Sequence, residues 1–191
     1  NSAALMLNSL ANHIHNEKKE LLVVTPHGNS QNKIQILKES SYNHLKFYCP
    51  FLKSRNLILR TFGEFLLSRF FIKNSKKLNE YFNNIDFIIS YSPTIFFGPY
   101  IKYLKKEFNI KKSYLILRDI FPQWIIDLEI LDKRNPIYFI FKYYEKVLYS
   151  NSSKIGIQSQ NNSKYFNSQD YKKKIEFLPN WYQEDIISKK S

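Results

Sequence analysis

Ser113-Tyr114-Leu115-Ile116-Leu117, running straight into Arg118-Asp119-Ile120-Phe121-Pro122-Gln123-Trp124, is the stretch whose reading decides the fold. SYLIL is a short apolar run that ends in charge, the pattern of a buried strand. Its surroundings repeat the pattern. Upstream, Thr94 to Phe108 has helical spacing with Lys102, Lys105 and Lys106 on one side, and Ile85 to Ser90 (IDFIIS) is a strand closed by Ser92-Pro93. Downstream, Pro136 to Tyr149 is a helix with Pro in its first turn. A strand Lys154 to Gln158, a helix near Asn162 to Lys173 and a strand Ile175 to Leu178 follow it. Farther upstream stand an amphipathic helix from Ser2, its N-cap, to Lys18, and a strand Leu21 to Thr25 (LLVVT) closed by Pro26-His27-Gly28. A weaker strand Leu45 to Cys49 and a long helical pattern Leu57 to Phe82 complete the series. Short apolar runs alternating with helices predict an α/β chain, a parallel sheet with helices on both faces.

Composition narrows what such a sheet is for. The chain has 191 residues, enough to bury one sizeable core without a metal or disulfide. One Cys, Cys49, rules out a disulfide framework and points to a reducing compartment. The net charge of +13 invites a polyanion: nucleic acid, an anionic bilayer or a phosphorylated ligand. Of the 29 basic residues only 5 are Arg, the residue favoured for bidentate guanine and phosphate contacts, which argues against sequence-specific nucleic-acid binding. The Lys and Asn bias also fits AT-rich coding.

In a parallel sheet, ligands bind outside the carboxyl ends of the strands. The loops there are Pro26 to Ser30, Tyr91 to Thr94, Arg118 to Trp124, Ser159 to Asn161 and Pro179 to Trp181. With 4 Gly and no G-x-G-x-x-G or G-x-x-x-x-G-K-[ST], the chain lacks a glycine-rich phosphate cradle. The four His residues have neither the spacing nor the company of a metal site, so no metal is expected. A charged pair after a buried strand is expensive unless partnered. Arg118 and Asp119 are therefore either a structural ion pair or cap, or groups that face the ligand crevice.

LRDIFPQWIIDLEIL resembles the R-D-(L/I)-(W/F)-P-x segment in the amino-terminal domain of family 4 glycosyltransferases. The likeness is to the branch that builds bacterial surface polysaccharides, in particular fucosaminyltransferases of O-antigen and capsule pathways. Four further pieces fall in family order: the first helix with ELLVVTPHG, then FIISYSPTIFFGPY, YYEKVLYSNSSKIGIQSQ and IEFLPNWYQ. Leu178-Pro179-Asn180-Trp181 is similar to the (L/I)-P-N-(W/G) segment that leads into the second domain.

The resemblance implies the first half of a GT-B enzyme, whose two Rossmann-like domains face each other across a cleft. Residues 1–180 are then the acceptor-binding domain without its first strand, and 181–191 the start of an interdomain linker. The donor nucleotide-sugar is a substrate bound by a second domain absent here, so the fragment alone is expected to be inactive. The whole enzyme would retain anomeric configuration while transferring a hexosyl or N-acetylhexosaminyl group to a polyprenyl-pyrophosphate-linked saccharide. It would work from the cytoplasm, peripherally on the inner face of the plasma membrane. Asp119 matches the family's acidic position and is the catalytic candidate. Arg118, Ser92 and Asn180 are acceptor-binding candidates, Ser92 competing with a plain turn role before Pro93. Arg118 stands where many members have His, and because Arg stays protonated it argues against general-base chemistry there.

The segment Asn56 to Lys77 is apolar nearly all round, with Arg69, Lys73, Lys76 and Lys77 towards its end. Such a helix is either core or lies on an anionic membrane with Phe and Leu inserted, the four cations on the headgroups. No run of 18 apolar residues exists to span a bilayer. The expected partners are thus a nucleotide-sugar, a polyprenyl-pyrophosphate-linked saccharide and an anionic membrane surface, with no nucleic acid. The competing reading is a non-catalytic basic α/β module that holds a phosphorylated ligand or nucleic acid.

Overall fold

The computed structural model describes residues 2–52, 54–92, 94–166 and 171–181. Pro93, the middle of the helix expected at 162–173 and the expected linker from 182 onward lie outside them, as does the side chain of Ser2. The chain divides into two units, residues 1–48 with 180–191, and residues 49–179.

The first unit opens with α1 (Ser2–Asn16), followed by β1 (Leu22–His27), β2 (Ile34–Lys38) and β3 (Asn43–Tyr48). Its sheet has the order β1-β3-β2, with β3 parallel to β1 and antiparallel to β2. Two expectations are corrected here. The strands do not all belong to one parallel sheet, and β2 is a strand that the apolar pattern did not reveal. It sits at an edge with Ile36 and Leu37 exposed, so it lacks the continuous burial that makes a strand visible in sequence. β1 also runs on through Pro26, which an edge strand tolerates because Pro has no N–H to give a second neighbour.

The second unit carries α2 (Leu57–Lys77), β4 (Phe87–Ser92), α3 (Gly98–Glu107), β5 (Lys112–Leu117) and α4 (Gln123–Asp127). It continues with α5 (Pro136–Asn151), β6 (Lys154–Ile157), α6 (Ser163–Phe166) and β7 (Ile175–Phe177). All four strands are parallel and lie in chain order, β4-β5-β6-β7. Successive crossovers therefore step the same way, and the right-handed rule puts α3 and α5 on one face. This is a parallel four-stranded sheet flanked by helices, the α/β class that the sequence predicts.

Register then sorts the side chains. Ser113, Leu115 and Leu117 of β5 align with Ile88, Ser90 and Ser92 of β4, and Leu115 and Leu117 with Ile155 and Ile157 of β6. Leu115, Leu117, Ile155 and Ile157 join Ile95, Phe96, Leu148, Tyr149 and Phe166 in the core. The helix expected at Thr94 to Phe108 begins with a 3-10 turn, Ile95–Phe97, where the Thr94 hydroxyl accepts from the Phe96 N–H at 3.4 Å. The pattern at Leu57 to Phe82 breaks after Lys77 and resumes as a 3-10 turn, Asn79–Phe82.

Tyr149 is fully buried, and its hydroxyl has no hydrogen-bond partner among the described residues. A buried hydroxyl left unsatisfied costs about 1–3 kcal/mol. Tyr149→Phe is therefore expected to hold or raise stability by about 1 kcal/mol, read as a higher urea midpoint at unchanged slope. A clear loss of stability would show that the hydroxyl has a partner after all.

Candidate functional site

The carboxyl ends of β4, β5 and β6 lie side by side, because Ser92 pairs with Leu117 and Leu117 with Ile157. Arg118 follows β5 directly and is half-buried. Its Nη1 donates to the Tyr91 hydroxyl at 2.9 Å. That bond raises the Arg118 pKa further above its ordinary value, with a smaller push from the neighbouring Asp119 charge. The guanidinium is thus a fixed cation, turned to Tyr91, while the Asp119 carboxylate is exposed. Of the two partners open to Arg118, the structure gives it Tyr91, and the Asp119 carboxylate beside it is left at the surface.

Ser92 has the opposite placement. It is buried, on the core-facing side of β4, and its hydroxyl donates to the Thr94 carbonyl at 3.0 Å. The hydroxyl is engaged in the turn. Asn180 is exposed and belongs to the other unit of the chain. Within the second unit, Arg118 and Asp119 therefore stand at one strand end with Ser92 buried alongside.

Tyr91 is the residue that sequence reasoning passed over. Its signal was the alternation along FIISYS, which puts Tyr91 on the face opposite Ser90 and Ser92, but its role needs the β4 and β5 register. Beyond Asp119, the Phe121–Pro122 peptide is cis, Phe121 packs on Phe141 at 4.9 Å and Trp124 stands exposed. After β6, the half-buried Ser159 accepts from the Asn161 N–H at 3.3 Å, and Gln160 and Asn161 are exposed, giving the rim neutral donors and acceptors. This polar loop is held from behind. Glu145 of α5 is buried and accepts from the Tyr165 hydroxyl of α6 at 2.5 Å, and Lys142 donates to both.

The rim is an exposed surface. Of two cavities elsewhere in the unit, one of about 270 Å³ lies near the amino-terminal ends of β4 and β5, lined by Ile85, Asp86, Ile110 and Lys112. It is at the wrong end of the sheet for a ligand site. The other, about 220 Å³, lies among α2, α3 and α5. Among the described residues no group of three or more His, Cys, Asp or Glu is placed to hold a metal ion. None of the described helices is long and apolar enough to cross a membrane.

The four cations proposed for membrane contact, Arg69, Lys73, Lys76 and Lys77, are all exposed on α2. The large apolar residues among them are not: Leu67 and Phe71 are buried, and Phe70 and Ile72 half-buried. Exposed apolar side chains of α2, Leu59 and Phe62, stand at its other end.

No family model and no curated protein matches the chain. Among solved structures it is similar to one described as trehalose-6-phosphate from E. coli bound with UDP-2-fluoro glucose, a GT-B glycosyltransferase. The match has a TM-score of 0.61 at 12% identity, covering 94% of this chain and 47% of that one. The chain thus has the fold of a GT-B half and spans about half the length of that structure.

Proposed function

We propose that this chain is the acceptor-binding half of a retaining, family 4-like glycosyltransferase. The enzyme moves a hexosyl or N-acetylhexosaminyl group from a nucleotide-sugar to a polyprenyl-pyrophosphate-linked saccharide, as in assembly of bacterial O-antigen or capsule. Residues 1–180 form that half and 181–191 lead towards a donor-binding domain, which holds the nucleotide-sugar without a protein cofactor. The work is done on the cytoplasmic face of the plasma membrane. The observation that carries this reading is the likeness over 94% of the chain to half of a two-domain structure that binds a UDP-sugar. The site chemistry supports it independently: Arg118, tethered by Tyr91, supplies fixed positive charge for the acceptor pyrophosphate, and exposed Asp119 beside it suits a sugar hydroxyl.

The test is sugar transfer by the protein that carries this chain. Incubated with nucleotide-sugars and a polyprenyl-pyrophosphate saccharide, it should yield a lipid product heavier by one sugar in mass spectrometry. A protein that binds the acceptor and transfers nothing from any donor would instead be a non-catalytic phosphate-binding module.

A further inference from the structure

The outward stripe of a surface helix is normally polar, and that of α5 is not. Ile137, Phe139, Ile140 and Tyr143 are 47%, 62%, 47% and 61% exposed, while Leu148 and Tyr149 of the same helix are buried in the core. Phe141 packs against the core from the opposite side, so the first two turns are apolar on both sides. Leu128 and Ile130, just before the helix, are exposed as well.

The helices packed on the same face are basic. In sequence, α2, α3 and α5 carry ten Lys or Arg against Glu64, Glu107 and Glu145. Two of these acids are already matched, Glu64 with Arg60 and buried Glu145 with Lys142. Arg69, Lys73, Lys76, Lys77, Lys102, Lys106 and Lys146 are exposed. The apolar and the basic stripes adjoin. Tyr143 packs on Tyr144 at 5.5 Å, Tyr144 on Phe65 of α2 at 5.5 Å, and while burial raises the Tyr144 pKa, the nearby Arg69 charge partly offsets that rise. Arg69 and Tyr144 also share the walls of the 220 Å³ cavity.

We propose that this helical face docks on an anionic lipid bilayer, with Phe139, Ile140 and Tyr143 entering the headgroup boundary and the cations of α2 and α3 resting on lipid phosphates. A bilayer answers both stripes at once, since apolar burial and attraction to anionic headgroups add. The insertion assigned from sequence to α2 is thereby moved: α2 supplies charge, and α5 the apolar wedge. The proposal rests on the reading of a membrane-held acceptor only for the presence of a bilayer.

The experiment is co-sedimentation of the chain with vesicles of phosphatidylcholine alone or mixed equally with phosphatidylglycerol. Insertion is read from an Ile140→Cys variant carrying a polarity-sensitive thiol dye. Cys49 does not compete for the dye, because burial pushes its thiol up to about 12. Binding is expected on the mixed vesicles, falling with salt, with a blue shift of the dye. Phe139→Ser with Ile140→Ser should weaken binding about tenfold, and Arg69→Gln with Lys73→Gln also about tenfold. An unchanged thermal midpoint would show that these exposed positions leave the fold intact. Vesicle binding with the dye still in water, or no vesicle binding at all, overturns the proposal. So does a dye already buried in a self-associated chain, which would mean that a second copy covers the face. Vesicle binding without sugar transfer would remove the enzymatic reading and keep the docking face; transfer to a lipid acceptor with the dye in water would do the reverse.

Discussion

Asp119→Ala, made in the full-length protein, is expected to lower kcat/KM for sugar transfer about a hundredfold, mostly in kcat. An exposed carboxylate at the end of β5 has no packing role to lose, so the loss would not arise through unfolding. Arg118→Ala should act differently. Its guanidinium is held by Tyr91 and stays charged, so in the proposed function it would bind the acceptor phosphate, and KM should rise about tenfold with a smaller change in kcat. Arg118→Lys restores charge without the planar fork and should recover only part of the binding. Tyr91→Phe, which frees Arg118 without removing it, should raise KM by about fivefold. Transfer that is indifferent to Asp119→Ala would take away the catalytic role given to that residue. A uniform fall in thermal midpoint across all four variants would reduce Arg118 and Asp119 to a structural pair.

These residues show what a sequence can and cannot disclose. SYLIL was legible because a strand covered on both sides needs apolar residues at every position, and the charge that follows marks its end. Arg118 and Asp119 were legible for the same reason. The partner of Arg118 was not, since it is fixed by the pairing of Tyr91 with Ile116, a contact between strands 25 residues apart. β2 escaped because an exposed edge strand carries no burial pattern. The helix of residues 57–77 was read as apolar all round, yet periodicity cannot say which side the core covers. Leu67 and Phe71 proved buried, and the exposed apolar stripe lies on α5, whose spacing was visible in sequence while its outward orientation was not.

Gly98→Ala should destabilise the second unit by about 2 kcal/mol, although every local consideration favours the change. Gly98 starts α3 with φ −49° and ψ −52°, ordinary helical angles, where Ala is preferred to Gly by about 1 kcal/mol. The opposing effect comes from α5. A Cβ at residue 98 would stand 2.7 Å from the Leu148 amide nitrogen and 3.0 Å from its Cα, and both are backbone atoms of a helix that cannot swing aside. The two helices must separate, which loosens Phe96, Leu115 and Leu148 in the core and costs about 3 kcal/mol. Gly156→Ala provides the control. There the near atoms all belong to side chains: the Tyr114 hydroxyl and Leu178 Cδ2 can rotate away, and only Leu178 Cβ, at 2.9 Å, needs a small shift of the chain end after β7, so the loss should be smaller, about 1 kcal/mol. Urea unfolding of the two variants should therefore rank Gly98→Ala as the less stable. If it were as stable as the parent, α3 and α5 would not approach through Gly98, and the right-handed stacking of the two crossover helices against the sheet would have to be drawn differently.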